Sequence, residues 1–499
     1  MNRVSSYRVI KLLDTRRVCL LVLTLGLFVL GARGITDPDF WWHLRNGQLI
    51  VQTHRVVRTD PYSFTRLGYR WINHEWLSDV LIFTVYRLSG FIGLILTFAA
   101  ISTATFLLVY GRCWGCPYLA ALVTVWGAET SILSWGVRPQ MFTLLFAAVL
   151  LLILDRSDRR PAVLWWTVPL TVLWVNLHAG YALGIFFLLL ALVGDLIEAN
   201  FAFQPPSRSS AGRWTLMLVI AACLAVVPLN PNGFRLYSYP IETLRSKAMQ
   251  TYISEWFSPD FHAAKYLLFL SMVLAMLVLL SIGSRRPRIR ELVLLCATLL
   301  EALRSVRHIA VFVLVAVPIL CKLMGGRRPE HRSIDQLLGP RVRQLTRAGA
   351  AFNMIVLIAF ATFTFVRVRL VALEQPQLVA QHFPAASLQF IRTAHPPEPV
   401  LNHYNWGGYF IWELYPDYRV FIDGRADLYG DSFMRDFAAS YYLTEGWRKL
   451  LKTWGIRTIV LPSDAPLVSA MNLEPGWTRI HADTQAVVLT CIQAQCGNH

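Results

Sequence analysis

Long apolar runs separated by short polar connections dominate the first three quarters of the chain. Each run is close to the roughly 20 residues that an α-helix needs to cross the hydrocarbon core of a bilayer. The pattern therefore predicts a polytopic membrane protein with about eleven transmembrane helices. The first run is Val18–Leu30, and the others begin near Phe91, Pro117, Met141, Ala162, Ala182, Trp214, Tyr266, Glu291, Ile309 and Ala350.

The pattern changes beyond residue 370, where short apolar runs alternate with amphipathic stretches. Alternating strands and helices are typical of an α/β layer domain. We therefore expect a membrane domain over residues 1–370 and a separate α/β domain over residues 371–499. The candidate strands lie at Val400–Leu401, Val420–Ile422, Thr458–Leu461 and Ala486–Leu489.

The composition agrees with a membrane protein. Hydrophobic residues make up 55% of the 499 residues and charged residues 15%, against roughly 25% charged residues in an ordinary soluble domain. This balance excludes a soluble enzyme, a disordered regulator and a disulfide-rich secreted module. The sequence has eight cysteines; Cys113 and Cys116 lack the second pair that a zinc site needs, whereas Cys491 and Cys496 could form a disulfide in an oxidising compartment.

The basic residues indicate the orientation of the chain. Lys and Arg number 47 against 30 Asp and Glu, a formal net charge of +17. Most of them lie in short connections between apolar runs, which orientation in the bilayer explains better than nucleic-acid binding. The distribution favours a cytoplasmic N-terminus with an uncleaved first helix, an extracytoplasmic loop over residues 36–77 and, after an odd number of crossings, an extracytoplasmic C-terminal domain.

The first predicted outer loop concentrates ionisable side chains. Asp37, Asp39 and His43 follow directly on the first apolar run, and His74 and Glu75 lie near the end of the loop, ahead of the second run. Acids at a membrane boundary cost desolvation energy, and several that converge on one cavity supply what proton transfer from a hydroxyl needs. Two alternatives remain open: the neighbouring tryptophans form an interfacial belt, and the Asp-Pro pairs form turns. A zinc-protease motif is excluded because Ser78 stands where its second histidine belongs.

The sequence resembles a family of bacterial polytopic membrane proteins related to the GT-C glycosyltransferases. The resemblance rests on DPDFWWHLRNGQLI and RTDPYSFTRLGYRWINHEWLSDVL in the first loop and covers most of the chain. Further landmarks are Arg138-Pro139-Gln140, Asn176-Leu177-His178-Ala179-Gly180, Asn230-Pro231-Asn232-Gly233, Glu255-Trp256-Phe257-Ser258-Pro259-Asp260, Asn405-Trp406-Gly407-Gly408-Tyr409 and Phe421-Ile422-Asp423-Gly424-Arg425-Ala426-Asp427.

The resemblance implies a bacterial inner-membrane enzyme that takes a sugar from a polyprenyl-phosphate carrier on the outer face, with a catalytic acid just after the first span. Asp37 and Asp39 occupy that place, and we favour Asp39 because it begins the Asp-x-Trp-Trp-His sequence. The chain has Asp-Pro-Asp where protein mannosyltransferases commonly have Asp-Glu. This departure leaves open which aspartate acts and what the acceptor is. No cofactor is predicted with certainty, and a divalent cation remains an alternative.

The other candidates have supporting roles. Arg138, Arg304 and Arg307 are candidates for binding the leaving phosphate, with interfacial anchoring as the alternative. His43, His74 and Glu75 would orient the acceptor or tune the base. Asn176 and His178 would line the acceptor cavity or cap helix ends. Glu255 and Asp260 would supply a second acid or a cation ligand, although their spacing is weak evidence for a metal. Asp423, Arg425 and Asp427 suit either acceptor recognition or an ion-pair cluster that holds the C-terminal domain.

The sequence therefore predicts an inverting glycosyltransferase that decorates an extracytoplasmic glycan, lipid or protein. One alternative is an O-antigen ligase or polymerase, which usually carries its key residues in a large late loop. Another is a transporter or flippase of lipid-linked sugars. Transporters tend to have mid-membrane ionisable sites and internal repeats, and neither pattern is visible here.

Overall fold

The computed structural model describes residues 14–201, 208–283, 285–325 and 346–491. Helices dominate as far as residue 394, and a small sheet follows. The helices of the first part are α1 (Thr15–Gly31), α2 (Phe40–Thr53), α3 (Trp76–Arg112), α4 (Pro117–Ser131), α5 (Gln140–Ser157), α6 (Thr167–Leu177), α7 (Tyr181–Phe201), α8 (Ser210–Ala225), α9 (Tyr239–Arg245), α10 (Lys247–Tyr252), α11 (Leu267–Ile282), α12 (Ile289–Arg304), α13 (Ile309–Leu323) and α14 (Arg347–His382).

A helix forms at each of the eleven predicted places. Among the described residues, seven helices are long and apolar enough to cross a bilayer: Trp76–Arg112, Gln140–Ser157, Tyr181–Phe201, Ser210–Leu229, Ala264–Ile282, Val306–Leu323 and Ala348–His382. The apolar helix Pro161–Leu177 is shorter, as are α1, α4 and α12 with 17, 15 and 16 residues. The multi-pass membrane architecture is confirmed, and the number of crossings stays a prediction.

Burial differs strongly between these helices. The apolar window of Val306–Leu323 is 78% buried, whereas that of Ala348–His382 is 6% buried. A helix that is apolar on all sides belongs inside a bundle when other helices surround it and in lipid when they do not. Helix α13 is therefore the centre of the bundle, and α14 lies at its periphery against α1.

Helices α2 and α3 make the main contact near the first loop. Helix α3 kinks at Gly90, whose φ of 61° is in the left-handed region, and α2 packs against the part of α3 before the kink. Gly47 allows the close approach, because a Cβ at this position would lie 2.0 Å from the backbone oxygen of Asp79. The first loop thus contains a helix, α2, that packs on the bundle.

The C-terminal domain contains four strands in the order β1-β2-β4-β3. Strand β1 pairs parallel with β2, while β4 pairs antiparallel with both β2 and β3. The predicted α/β class is confirmed. The elements are α15 (Ala385–Ala394), β1 (Val400–Asn402), α16 (Gly407–Leu414), α17 (Ala426–Tyr442), α18 (Trp447–Thr453), β2 (Thr458–Pro462), α19 (Pro466–Met471), β3 (Trp477–Ala482) and β4 (Ala486–Cys491).

Two details of the C-terminal part differ from the pattern. The apolar run Val420–Ile422 joins none of these strands, because Val420 pairs with the first loop instead: its N–H donates to Tyr62 O and its carbonyl accepts from Phe64 N–H, at 3.1 Å each. Helix α14 runs across the predicted boundary at residue 370 and ends at His382. Cys491 is disulfide-bonded, and its expected partner Cys496 lies outside the described residues.

Candidate active site

The connection between α1 and α2 places two carboxylates at the start of a helix. Asp39 is the residue before α2, and the Asp37 Oδ1 accepts the backbone N–H of Asp39 at 2.9 Å. A short acidic side chain that bonds the backbone two residues ahead forms a tight turn, and acids are favoured at a helix N-terminus. The Asp-Pro-Asp sequence is thus a rigid helix start.

The Asp39 carboxylate is sandwiched between the first loop and the C-terminal domain. Its Oδ1 accepts a hydrogen bond from Trp42 Nε1 at 3.2 Å, and a Cβ at position 424 would lie 1.7 Å from the same oxygen. Only glycine fits at 424 without moving Asp39. The Asp39 side chain still keeps 30% of its surface exposed, so a solute can reach it.

This environment raises the pKa of Asp39 to about 7. Desolvation by the surrounding protein is the largest cause and the negative charge of Asp37 is the second, while Arg138 and His43 oppose them. A carboxylate with a pKa near the working pH is well suited to accept a proton and release it again.

Arg138 lies among three carboxylates. Its Nε is 2.8 Å from Asp37 Oδ2 and its Nη2 is 4.0 Å from Asp39 Oδ2. Its other face donates to both carboxylate oxygens of Glu255, with Nη2–Oε2 at 3.3 Å. Burial raises the pKa of Glu255, but the positive charges of Arg138 and Arg307 outweigh burial and hold this pKa below its ordinary value. Arg138 therefore brings together two predicted acids and the second long connection, which spans residues 230–265. Its guanidinium is already occupied by carboxylates.

A second cluster surrounds Glu75. Three imidazole Nε2 atoms point at its carboxylate: His74 and His178 at 3.1 and 3.3 Å from Oε1, and His43 at 3.5 Å from Oε2. Burial alone would raise the pKa of Glu75, but His74, His178 and His43 hold it well below its usual range. Glu75 is therefore a permanently ionised group in the site.

The hydrogen bonds of His178 determine which of its nitrogens carries the proton. Nδ1 accepts the backbone N–H of Gly180 at 2.9 Å and lies 2.7 Å from Thr143 Oγ1. The proton of the neutral ring is therefore on Nε2, which donates to Glu75. Burial lowers the pKa of His178 to about 3, so this residue stays neutral.

His43 is fixed from its other side. Its Nδ1 lies 2.6 Å from Asp79 Oδ1, and Asn46 Nδ2 donates to Asp79 Oδ2 at 2.5 Å. Burial lowers the pKa of His43, but the hydrogen bond and charge of Asp79 outweigh it and raise that pKa above its ordinary value. The raised pKa favours the protonated form of His43, which lies between Glu75 and Asp39.

Tyrosines of two later segments close the site. Tyr239 packs on His74 with ring centroids 4.5 Å apart, and its hydroxyl donates to Asp427 Oδ2 at 3.3 Å. Tyr404 donates to the backbone oxygen of Gly424 at 3.1 Å. Sequence reasoning missed both tyrosines, because neither lies in a pattern with a chemical signature. It also missed Asp79, although a carboxylate inside an apolar run is a usable signal.

Asp423 and Arg425 join the C-terminal domain to the first loop. Arg425 forms ion pairs with Asp423 at 2.6 Å and with Asp60 of the first loop at 2.8 Å, and its guanidinium lies 4.6 Å from the centroid of the Trp71 ring. All three charged side chains are buried. These contacts favour the ion-pair alternative for Asp423 and Arg425, while Asp427 faces His74 and Tyr239.

We expect Arg425→Met to lower the free energy of unfolding by about 3–5 kcal/mol, because two buried carboxylates would lose their counter-charge. The exposed pair of Arg448 and Glu474 offers a control, since Arg448→Met should cost no more than about 1 kcal/mol. Denaturant unfolding of the purified protein, followed by tryptophan fluorescence, measures both. An equal loss of unfolding free energy in the two variants would contradict a stabilising role of the buried ion pairs of Arg425.

The structure leaves some predicted residues outside this cluster. Arg304 is 67% exposed and pairs with Glu301 at 3.9 Å. Asp260 is exposed and accepts the backbone N–H of His262 at 3.0 Å. Asn176 accepts from Trp76 Nε1 at 2.8 Å, beside the cluster. Over the described ranges, no group of three or more His, Cys, Asp or Glu is arranged to hold a metal ion.

Arg307 differs from the other predicted cations. Its guanidinium lies 4.7 Å from the centroid of the Trp256 ring, and it is close enough to Glu255 to lower the pKa of that residue. Within the described part of the chain, no carboxylate oxygen lies within the 4.0 Å of an ion pair with it. Arg307 is therefore a cation beside the site, and its guanidinium forms no ion pair with a carboxylate among the described residues.

Comparison with solved structures finds the same fold. The crystal structure of the Archaeoglobus fulgidus oligosaccharyltransferase in the apo form matches with a TM-score of 0.51 at 11% sequence identity, over 90% of this chain and 70% of that chain. A crystal structure of the same enzyme, tethered with an acceptor peptide containing the NVT sequon, matches with a TM-score of 0.52 at 12% identity, over 97% and 75%. No protein-family model and no curated protein matches the sequence. The chain thus shares the polytopic membrane fold of this oligosaccharyltransferase.

Proposed function

We propose that this protein is an inverting membrane glycosyltransferase that moves a sugar from a polyprenyl-phosphate carrier to a hydroxyl of an extracytoplasmic glycan, lipid or protein. The observation that carries the proposal is Asp39: a reachable carboxylate with a pKa of about 7 at the meeting point of the first loop, the second long connection and the C-terminal domain. The fold supports the reaction class, and the distribution of basic residues supports the outward orientation.

Asp39 is proposed as the general base. The acceptor oxygen attacks the anomeric carbon while Asp39 takes the hydroxyl proton, and the bond from that carbon to the phosphate oxygen breaks. Attack from the face opposite the phosphate inverts the anomeric configuration. The polyprenyl phosphate leaves with an added negative charge, which needs a fixed cation nearby.

Arg307 is the best placed cation for this phosphate, because its guanidinium is free of acidic partners among the described residues and presents a planar fork of donors. Arg138 has a different proposed role. Its ion pairs with Asp37 and Glu255 hold these two side chains in place next to Asp39. Desolvation, together with the negative charge of Asp37, makes Asp39 a stronger base than an ordinary aspartate.

A groove beside the site suits the carrier lipid. It has a cavity volume of about 370 Å³ between the start of α3, helix α6 and the segment around Leu229. Its walls are mostly apolar, as the hydrocarbon chain of a polyprenyl phosphate requires. Asn176 and Trp76 are among the residues that line the groove, and they lie next to Leu177-His178 and to Glu75 in the sequence. We propose that the lipid lies in this groove with its phosphate toward Arg307.

The test uses purified protein in liposomes with a polyprenyl-phosphate sugar labelled in the sugar. A transferase releases polyprenyl phosphate and forms a product with inverted anomeric configuration, which NMR of the product identifies. Movement of intact donor across the bilayer without release of polyprenyl phosphate would instead support a carrier. A product with retained configuration would contradict the single-displacement mechanism.

A further inference from the structure

One side chain of helix α14 forms two hydrogen bonds with the segment that precedes Asp37 and Asp39. The Gln375 Oε1 accepts the backbone N–H of Ile35 at 2.7 Å, and the Gln375 Nε2 donates to the backbone oxygen of Ile35 at 2.9 Å. Both residues are buried, with 1% and 2% of their surfaces exposed. A side-chain amide here pairs with both polar groups of one residue, as a neighbouring β-strand would.

The contact lies two residues before Asp37. A continuous series of bonds runs from Gln375 to Ile35, along the chain to Asp37, and from the Asp37 carboxylate to the backbone N–H of Asp39. Contact between the segment and α14 is close, because a Cβ at Gly34 would lie 2.3 Å from Leu378 Cδ1. The contacts with α14 thus fix the position at which α2 starts, and with it the orientation of the Asp39 side chain.

We infer that Gln375 is a positioning residue for sugar transfer, which fixes the backbone at Ile35 so that Asp39 faces the site at the productive angle. This inference rests on the proposed function. Few side chains of α14 are buried, since only 6% of its apolar window is buried. Gln375 is a buried polar residue on a mostly exposed helix. Both of its hydrogen bonds are to the backbone of Ile35, two residues before Asp37.

The amide chemistry makes the inference testable. In Gln375→Glu the side chain keeps its shape but loses the donor, and a carboxylate oxygen then faces the Ile35 carbonyl oxygen. In Gln375→Met both hydrogen bonds disappear without an added charge, which leaves two buried backbone groups unsatisfied. Gln377→Glu is the matched control, because Gln377 lies on the same helix and is exposed.

The experiment compares the three variants with the parent protein in the transfer assay and in hydrogen–deuterium exchange. We expect both Gln375 variants to lower kcat by about 10- to 100-fold, the loss that small misplacements of a reacting group cause, with KM for the donor unchanged. Peptides that contain Ile35 should exchange at least about tenfold faster, as expected when a backbone N–H loses its buried partner. Gln377→Glu should change neither quantity.

The outcomes separate this inference from the proposed function. A parent protein that transfers no sugar contradicts the proposed function itself. If the parent transfers sugar, Asp39→Asn abolishes transfer and both Gln375 variants keep full kcat, only the positioning role of Gln375 is overturned. If both Gln375 variants lose their folded state while Gln377→Glu keeps it, Gln375 is a general stability residue and the inference is overturned as well.

Discussion

Replacing Asp39 by asparagine is expected to lower the rate of sugar transfer by about 10²- to 10⁴-fold, the range that a general base contributes. Asparagine keeps the size of the side chain and can still accept the hydrogen bond from Trp42 Nε1, but it cannot take a proton from the acceptor. The measurement is single-turnover release of polyprenyl phosphate from labelled donor. Folding and membrane insertion should be unchanged, because the ion pair that Asp39 forms within the described residues, with Arg138 Nη2 at 4.0 Å, is a long one.

The control for this change is Asp417→Asn, which alters an exposed acid of the C-terminal domain and should leave the rate within about twofold, as is usual for exposed sites. Undiminished transfer by Asp39→Asn, with folding confirmed, would remove Asp39 as the base. Loss of folded protein in Asp39→Asn alone would show that the carboxylate has an architectural role.

The second large effect is expected at Arg307. Arg307→Gln removes the cation proposed to face the leaving phosphate, and we expect kcat to fall by about 10²- to 10³-fold, as when a fixed donor at a developing charge is removed. Arg307→Lys should recover only part of the rate, because an ammonium lacks the planar fork. Steady-state kinetics at saturating acceptor separates the effect on kcat from that on donor binding.

Arg304→Gln is the matched control, since Arg304 is three residues away and 67% exposed. The sequence alone treats both arginines as phosphate candidates, whereas the structure predicts a loss for Arg307 only. Equal losses for the two variants, or a loss only in Arg304→Gln, would contradict the assignment of the phosphate position.

The sequence predicts the class of the fold because two local features determine it. These are the length of the apolar runs and, beyond residue 370, the alternation of short apolar runs with amphipathic stretches. Helices form at all eleven predicted places, and three of the four candidate strands exist. The exception, Val420–Ile422, is extended backbone that pairs with the first loop. A local pattern shows that such a run is extended and apolar, but the partner depends on tertiary packing.

For the candidate site, too, the sequence predicts the residues that share one loop but not the contacts between residues that are far apart in the chain. Asp37, Asp39, His43, His74 and Glu75 lie close together in sequence, and the structure keeps them together. Arg138 and Glu255 are 117 residues apart, and their bond is visible only in three dimensions. The arginines show the limit most clearly, because Arg138, Arg304 and Arg307 have one residue type and three environments: enclosed by acids, exposed to the surroundings, and lying over an aromatic ring.

The pH dependence of kcat/KM tests whether Asp39 is the general base, since it reports the ionisation of the base in the free enzyme. Because the pKa of Asp39 is raised to about 7, its proton-accepting form is lost below that pH. We therefore expect transfer to rise with pH, with the midpoint of the rise near pH 7. In Asp37→Asn this midpoint should move to lower pH, because the charge of Asp37 is one cause of the raised pKa. A rate that is flat across this range, or a midpoint that stays in place in Asp37→Asn, would exclude Asp39 as the titrating base.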